Sequence, residues 1–155
     1  MSFTTKNEIS TFDFSQSAVS EIQMLDQRVV IKVIDVIISK DNSQNTEYRS
    51  MATDDLILEL LQVEKVRVIR DGYTIYNMDD SIREQQPDVE LSQEEYMKLL
   101  PKLKGCPIDK IEKKEEDYYM YIDTDQQTEG YTFQVTAQED RQEWERFRNL
   151  PQEYR

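Results

Sequence analysis

The sequence predicts an α+β fold that is mainly antiparallel β, arranged as a curved sheet or a small sandwich or barrel. Three observations predict it. Branched residues dominate Val29 to Ile38, apolar and polar residues alternate in several other segments, and one clear helix signal lies at about 92–103. β-Branched side chains and two-residue alternation are typical of strands with a buried face. A short C-terminal helix completes the predicted architecture.

A chain of 155 residues is long enough for one domain with its own core. We assign residues 11–155 to this single globular domain. Residues 1–10 are mostly polar, and a chain terminus of this composition could be disordered. Phe12 and Phe14 alternate around Asp13, which predicts a short edge strand docked on the domain.

Two strands are predicted next, from Val19 to Leu25 and from Arg28 to Ile38, with a tight turn at Asp26-Gln27. Apolar side chains occupy both faces of the second strand, interrupted on one face by Lys32. This pattern is typical of a central strand that lies between two layers. Ser39 to Thr53 is predicted to be a long polar connection.

Leu56 to Ile69 indicates a long strand with a bulge, or two strands joined by a bend. A helix over residues 54–63 is the alternative, because Leu favours helices. Asp71-Gly72 is a strong hairpin signal, so Tyr73 to Met78 is predicted to pair with the strand before it. The acidic stretch from Asp79 to Leu91 is predicted to be a loop.

The helix signal begins at Ser92, which forms a capping box with Glu95. Four apolar residues follow on one helical face, and Pro101 predicts that the helix ends near that residue. The four residues are Tyr96, Leu99, Leu100 and Leu103.

Three extended segments and a helix are predicted after Cys106. An extended segment to Ile111 precedes two antiparallel strands, Tyr118 to Ile122 and Tyr131 to Ala137. The last segment, Glu139 to Leu150, places Trp144 and Phe147 on one helical stripe. This spacing predicts a short amphipathic helix that closes the sheet.

The absence of histidine and the presence of a single cysteine exclude much catalytic and metal chemistry. Histidine is the commonest general base, and structural zinc sites use histidine and cysteine. One cysteine cannot form an internal disulfide, which suits a reducing compartment. With no secretory signal and no apolar stretch of about 20 residues, we expect a cytoplasmic protein without a membrane anchor.

Three weaker signals for chemistry are better explained by ordinary turns and chance. Asp41, Ser43 and Asn45 have the first spacings of a calcium loop, and residues 123–127 repeat that start, but both lack the glycine that follows. Cys106 has no histidine to activate it. The carboxylates at residues 115–117 adjoin tyrosines, but acids are abundant throughout the chain. We therefore expect no cofactor and no metal.

The net charge of −13 disfavours binding to nucleic acid or to an anionic membrane. It favours an acidic surface that recognises a basic protein, with tyrosines as anchors. The candidate residues for this contact are Asp79, Asp80, Glu84, Asp88, Glu90, Glu94, Glu95, Tyr118, Tyr119 and Tyr121.

These observations predict a binding protein without catalysis, comparable to immunity proteins and nuclease inhibitors that neutralise a basic partner. The alternative is a barrel or sandwich that binds a small ligand between the two apolar faces of Val29 to Ile38. A carboxylate-based, metal-dependent hydrolase is a third and weaker interpretation. The sequence leaves the partner and the oligomeric state open.

Overall fold

The computed structural model describes residues 2–124 and 129–150 and confirms a mainly antiparallel α+β fold. The strands before the helix are β1 (Phe3–Lys6), β2 (Phe12–Asp13), β3 (Ala18–Leu25), β4 (Arg28–Ile38), β5 (Met51–Leu61), β6 (Lys65–Arg70), β7 (Tyr73–Tyr76), β8 (Ile82–Gln86) and β9 (Val89–Leu91). Helix α1 (Gln93–Leu99) continues as a 3₁₀ turn, Leu100–Leu103. The later strands are β10 (Ile108–Lys114), β11 (Asp117–Asp123), β12 (Gly130–Thr136) and β13 (Glu139–Trp144).

The strands form two main sheets and one small one. The first sheet has the order β1-β13-β5-β4-β2, with β3 also paired to β4. The second sheet has the order β10-β11-β12-β6-β9, and β7 pairs with β8 in a separate hairpin. The fold contains a curled half-barrel sheet and one core shared by residues of both main sheets, which matches the predicted curved architecture.

A bent two-stranded ribbon joins the main sheets. β5 pairs with β13 in the first sheet, and their continuations β6 and β12 pair in the second. The bend on one strand lies at Gln62, whose φ of 53° turns the chain between β5 and β6. Of the alternatives over residues 54–69, two strands joined by a bend is the one that the structure forms, and the helix over 54–63 is wrong.

A second connection closes the curl between β3 and the segment that leads into β10. Val19 N donates to Cys106 O at 2.9 Å, and Gly105 N donates to Val19 O at 2.7 Å. Ile108 N donates to Ser17 O at 2.9 Å. These backbone bonds place residues 105–108 beside the beginning of β3, as a short addition to the first sheet.

Apolar residues occupy both faces of β4 in the sequence, but the cause is not a protein layer packed on each side of the strand. Val29, Ile31 and Val33 face the core before Asp35, and Val36 and Ile38 face it afterwards. Asp35 has a φ of 58°, and the core-facing side changes from odd to even residues at that point. Both faces therefore read as apolar partly because the strand changes side.

Helix α1 is the one α-helix among the described residues, and its predicted start is confirmed. Ser92 Oγ accepts a bond from Glu95 N at 3.2 Å, and Glu95 Oε1 accepts one from Ser92 N at 3.0 Å. Leu100 and Leu103 of the following 3₁₀ turn are buried in the core. The capping box thus fixes where the chain turns away from β9 and back over β3.

The predicted C-terminal helix is wrong, because β13 occupies Glu139–Trp144. This strand lies between β1 and β5, and it buries Asp140, Gln142 and Trp144 on one side. Two of those three residues are polar, which hides the two-residue period in the sequence. Pairing with two neighbouring strands outweighs the helical spacing of Trp144 and Phe147.

The N-terminal segment forms β1 and does not follow the expectation that residues 1–10 could be disordered. β1 pairs with β13 in the register Phe3↔Trp144. The Phe3 ring centroid lies 5.7 Å from that of Trp144 and 4.7 Å from that of Phe147. Strand pairing and the ring contacts of Phe3 therefore dock the start of this segment on the domain.

The hairpin predicted at Asp71-Gly72 is wrong, and so is the loop predicted from Asp79 to Leu91. β6 pairs with β12 and β9, whereas β7 pairs with β8. Gly72 does not adopt the positive φ that such a hairpin turn requires. Strands β8 and β9 lie within the acidic stretch, where few apolar residues mark them.

Candidate functional site

The hairpin of β7 and β8, which we call the arm (residues 73–86), has an exposed apolar end. Each strand has the other as its main contact among the described elements. Tyr76 and Ile82 lie opposite each other, and the turn beyond them carries Met78. These three side chains are 59%, 55% and 105% exposed, respectively. Exposed apolar groups clustered at one place usually mark a contact surface.

Acidic side chains surround this apolar end. Asp79 and Asp80 lie in the turn, Glu84 lies on β8, and all three are exposed. Asp79 Oδ1 accepts bonds from Ser81 N at 3.0 Å and from Ser81 Oγ at 2.5 Å. These bonds lower the pKa of the Asp79 carboxyl, so it is ionised at neutral pH. The arm therefore presents negative charge next to apolar area.

The base of the arm is fixed by two aspartates. Asp88 Oδ1 accepts a bond from Gly72 N at 2.5 Å. Asp71 Oδ1 accepts one from Thr132 Oγ1 at 2.7 Å. Burial raises the pKa of the Asp71 carboxyl, and the charges of Asp88 and Asp123 raise it further. The chain thus holds a half-buried carboxylate close to two others where the arm leaves the second sheet.

We expect Asp71→Asn to raise the melting temperature at pH 7 by about 2 °C, because it removes a poorly solvated negative charge. The amide oxygen of Asn can still accept the bond from Thr132. The pKa of Asp71 is higher in the folded chain, so wild type gains stability as pH falls through that pKa and loses it as pH rises. The difference between variant and wild type should therefore shrink in acid.

Thermal melts from neutral to acidic pH measure this effect, with Asp41→Asn as the control for net charge. Asp41 is exposed in the connection between β4 and β5. A melting temperature for Asp71→Asn below that of wild type at pH 7 would contradict the expectation.

The remaining predicted acids lie outside the arm. Glu90 Oε1 on β9 accepts a bond from Arg67 Nε at 2.6 Å. Glu94 pairs with Lys98 at 3.5 Å on the exposed side of α1. Glu95 serves the capping box, and its bonds with Ser92 lower the pKa of its carboxyl. The structure thus brings Asp79, Asp80 and Glu84 together on the arm, where Glu84 Oε1 accepts a bond from Tyr73 Oη at 2.9 Å, and places Asp88 at its base. Glu90, Glu94 and Glu95 lie elsewhere.

Tyr118 is buried, so the expectation that it contacts a partner is corrected. Its hydroxyl donates to Asp140 Oδ2 at 2.6 Å inside the core. Burial, followed by this bond, raises the pKa of the Tyr118 hydroxyl above its ordinary value. Its role is in packing.

Tyr119 and Tyr121 lie on the opposite face of β11, and both are half-buried. Their ring centroids are 6.5 Å apart with nearly parallel planes. Lys114 Nζ lies 5.6 Å from the Tyr119 ring centroid, and Lys110 Nζ lies 5.1 Å from that of Tyr121. Glu112 lies within ion-pair distance of both lysines, so its one negative charge offsets part of their positive charge. This surface is distinct from the acidic arm.

Sequence reasoning missed Tyr76, Met78 and Ile82. It paired Tyr73 to Met78 with the preceding strand, where these apolar groups would join a larger sheet. The available signal was their position beside the consecutive acids Asp79 and Asp80, because charged residues usually stay at the surface. Because β6 pairs with the distant strand β12, β7 and β8 pair with each other as a separate hairpin.

The weak metal signals gain no support from the geometry. Among residues 2–124 and 129–150, no group of three or more Asp, Glu or Cys side chains could hold a metal ion. Asn45 Nδ2 donates to the carbonyls of Ile38, Ser39 and Arg49 at 3.2, 3.1 and 3.0 Å, which closes the loop around it. Residues 125–127 of the second calcium-like segment lie outside the described part of the chain.

The other candidates for chemistry, the carboxylates at residues 115–117 and Cys106, lie in a turn, in a strand or in a paired segment. Asp117 Oδ1 accepts a bond from Thr136 Oγ1 at 2.5 Å, and Glu115 and Glu116 form the turn between β10 and β11. Cys106 is half-buried in the segment that pairs with β3.

No family model, curated protein or solved structure matches this chain. None of the helices in the described segments has the length and hydrophobicity needed to cross a bilayer.

Proposed function

We propose that this chain is a small acidic binding protein that acts without catalysis and recognises a basic protein through the arm. The observation that carries the proposal is the exposed cluster of Tyr76, Met78 and Ile82 with acids beside it. Aromatic residues and Met are enriched in the buried centres of protein interfaces, and charged residues at their rims. The arm has this arrangement on one small hairpin.

Charge supports a basic partner. The chain has a net charge of −13, and the acids of the arm add a local negative field at the contact point. Such fields steer oppositely charged partners and speed their association, most strongly at low salt. We infer that the chain acts in the cytoplasm as an inhibitor or immunity protein, and that its arm covers the functional surface of the partner.

The test begins with the wild-type chain immobilised at low salt and the source cell extract passed over it. Retained proteins are identified, purified and titrated against three variants. Replacing the apolar end (Tyr76→Thr, Met78→Ser, Ile82→Thr) should weaken the affinity by at least about 30-fold, as loss of a hot spot does. Replacing Asp79 and Asp80 with Asn should slow association and reduce its salt dependence.

Tyr48→Ser is the matched control. Tyr48 is 93% exposed in the connection between β4 and β5, away from the arm, so its replacement should leave the affinity unchanged. The proposal fails if no protein is retained at low salt, or if the retained protein binds the variant with the replaced apolar end as tightly as wild type.

A further inference from the structure

The arm continues a two-stranded ribbon that begins in the second sheet. Residues 68–75 run against residues 84–91 in one register, which passes through β6 and β7 on one strand and through β8 and β9 on the other. Two positions in this register carry no ladder pair, and they lie where the arm begins. At one of them the register places Asp71 opposite Asp88. The ribbon is therefore continuous in register but interrupted at the base of the arm.

This interruption makes the base of the arm a hinge. Pro87 has no N–H to donate to the facing strand. Gly72, which lies opposite Pro87 in the register, donates its N–H to the Asp88 side chain at 2.5 Å. Beyond this point, each strand of the arm has the other as its main contact. The position of the arm on the second sheet therefore depends on few bonds.

Three carboxylates lie in one row across this hinge. Asp123 pairs with Gly130, and Asp71 N donates to Gly130 O at 2.9 Å. A Cβ at residue 130 would lie 3.3 Å from Asp71 Oδ2 and 3.8 Å from Asp123 Oδ1. The two carboxylates therefore face the space that a side chain of residue 130 would fill. Asp88 lies on the other side of Asp71, so Asp71 has a like charge on each side.

The other groups around Asp71 do not neutralise this row. Thr132 on β12 donates one hydrogen bond to it at 2.7 Å, and Tyr121 on β11 is uncharged at neutral pH. Arg70 precedes Asp71 on β6 and therefore points to the opposite face, where Glu129 accepts a bond from a tyrosine. Burial and the two neighbouring carboxylates raise the pKa of the Asp71 carboxyl, and no cation among the described residues lowers it.

We propose that this row of carboxylates is a pH-sensitive hinge, which loosens the arm at neutral pH and orders it in acid. Like charges directly opposite each other destabilise strand pairing, and Asp71 and Asp88 form such a pair. Protonation of Asp71 removes the repulsion, and its neutral carboxyl can donate a hydrogen bond to a neighbouring carboxylate. Because the pKa of Asp71 is raised where the arm is docked, the docked arm binds this proton more tightly than a loosened arm does. Order in the arm is therefore gained as pH falls through that pKa and lost as pH rises.

The hinge is a property of the free chain, and only its consequence for binding rests on the proposed function. An ordered arm has less conformational entropy to lose when it contacts a partner. The bonds from Ser81 lower the pKa of Asp79, so the end of the arm keeps this charge while Asp71 becomes protonated. Acid therefore prepares the arm for binding without removing the charge of Asp79.

Backbone ¹⁵N relaxation of the free chain, measured by NMR from neutral to acidic pH, tests the hinge. In wild type, the mean order parameter of residues 73–86 should rise from about 0.6 at neutral pH to about 0.85 in acid, the value of a rigid backbone. The rise should follow the titration of the Asp71 carboxyl carbon. The order parameters of β4 and β5 should not change.

Three variants identify the cause of the change. Asp71→Asn keeps an acceptor for Thr132 but no charge, so its arm should be ordered at neutral pH and should not respond to acid. Asp123→Asn removes one neighbouring charge and should move the transition to lower pH by about 0.3 pH unit, as loss of one exposed charge does. Asp80→Asn removes an equal charge away from the hinge and should leave the transition unchanged.

Equal order in the wild-type arm at neutral and acidic pH, or an acid response that persists in Asp71→Asn, would overturn the proposal. The experiment uses no partner, whereas the proposed function is tested by partner affinity after replacement of the apolar end of the arm. Either proposal can therefore fail while the other stands.

Discussion

Replacing Asp140 with Ala is expected to lower the free energy of unfolding by about 3–5 kcal/mol, because three buried donors lose their acceptor together. Asp140 is fully buried on β13. Its oxygens accept bonds from Tyr118 Oη at 2.6 Å, Gln142 Nε2 at 2.5 Å and Ile9 N at 3.1 Å. Each unsatisfied buried group costs about 1–3 kcal/mol, although relaxation recovers part of the sum.

The loss should include the docking of the N-terminal segment. Asn7 and Asp140 exchange two further bonds, from Asn7 N to Asp140 O at 2.7 Å and from Asp140 N to Asn7 Oδ1 at 3.0 Å. Thr5 Oγ1 donates to Gln142 Oε1 at 2.7 Å, which connects β1 to the same network. We therefore expect amide exchange in β1 to accelerate more than exchange in the second sheet.

Urea unfolding monitored by tryptophan fluorescence measures the change, with two comparisons. Asp140→Asn keeps the size and one acceptor oxygen, so its loss should be smaller than that of Asp140→Ala. Asp55→Ala removes an exposed carboxylate from β5 and controls for net charge. A midpoint for Asp140→Ala that equals the midpoint for Asp55→Ala would show that the network does not contribute to stability.

Gly72→Ala is expected to detach the base of the arm. A Cβ at residue 72 would lie 2.4 Å from Gln86 O and 2.7 Å from Asp88 N. Both are backbone atoms, so no side chain can rotate away and the strand after the arm must move. The bond from Gly72 N to Asp88 would be lost with it. An isolated two-stranded hairpin is at best marginally stable in water, so the arm should lose order.

Limited proteolysis checks this expectation, because cleavage within residues 73–86 should be at least about 10-fold faster in Gly72→Ala. If the proposed function holds, partner affinity should fall as well. Gly105→Ala is the control: its Cβ would meet open space, but its φ of +85° strains any other residue. That variant should lose about 1 kcal/mol of global stability without faster cleavage of the arm. Equal cleavage rates in Gly72→Ala and wild type would contradict the expectation.

The parts of the fold that could be predicted from the sequence are those that depend on interactions between neighbouring residues. Branched residues in Arg28 to Ile38 and the box of Ser92 and Glu95 each act within a few neighbouring residues, and both elements formed as predicted. The alternation in Tyr131 to Ala137 also identified β12 and its pairing with β11. In these segments the local preference and the tertiary environment agree.

The failures occurred where a distant partner decided the outcome. Asp140 and Gln142 look like solvent-facing residues of a helix, but Tyr118 and Thr5 satisfy them inside the core. Asp71-Gly72 has the composition of a hairpin turn, but β6 pairs with β12 and β9 and not with the strand that directly follows it. Periodicity alone cannot reveal such partners.

The candidate site was likewise predicted only in part. Acid density correctly directed attention to Asp79, Asp80 and Glu84, because charged residues stay at the surface wherever the chain places them. Tyr118 and Tyr119 are consecutive in a strand and therefore lie on opposite faces, but acid density gave no indication of which face packs into the core. The apolar end of the arm depends on the pairing of β7 with β8, which the sequence signals only weakly.

The bent ribbon of β5–β6 with β12–β13 makes the two main sheets mechanically inseparable. Each of its two chains begins in one sheet and ends in the other, so pulling either sheet open strains the hydrogen bonds of both. We therefore expect the two main sheets to unfold together, and the arm to be a place where local motion can occur without global unfolding.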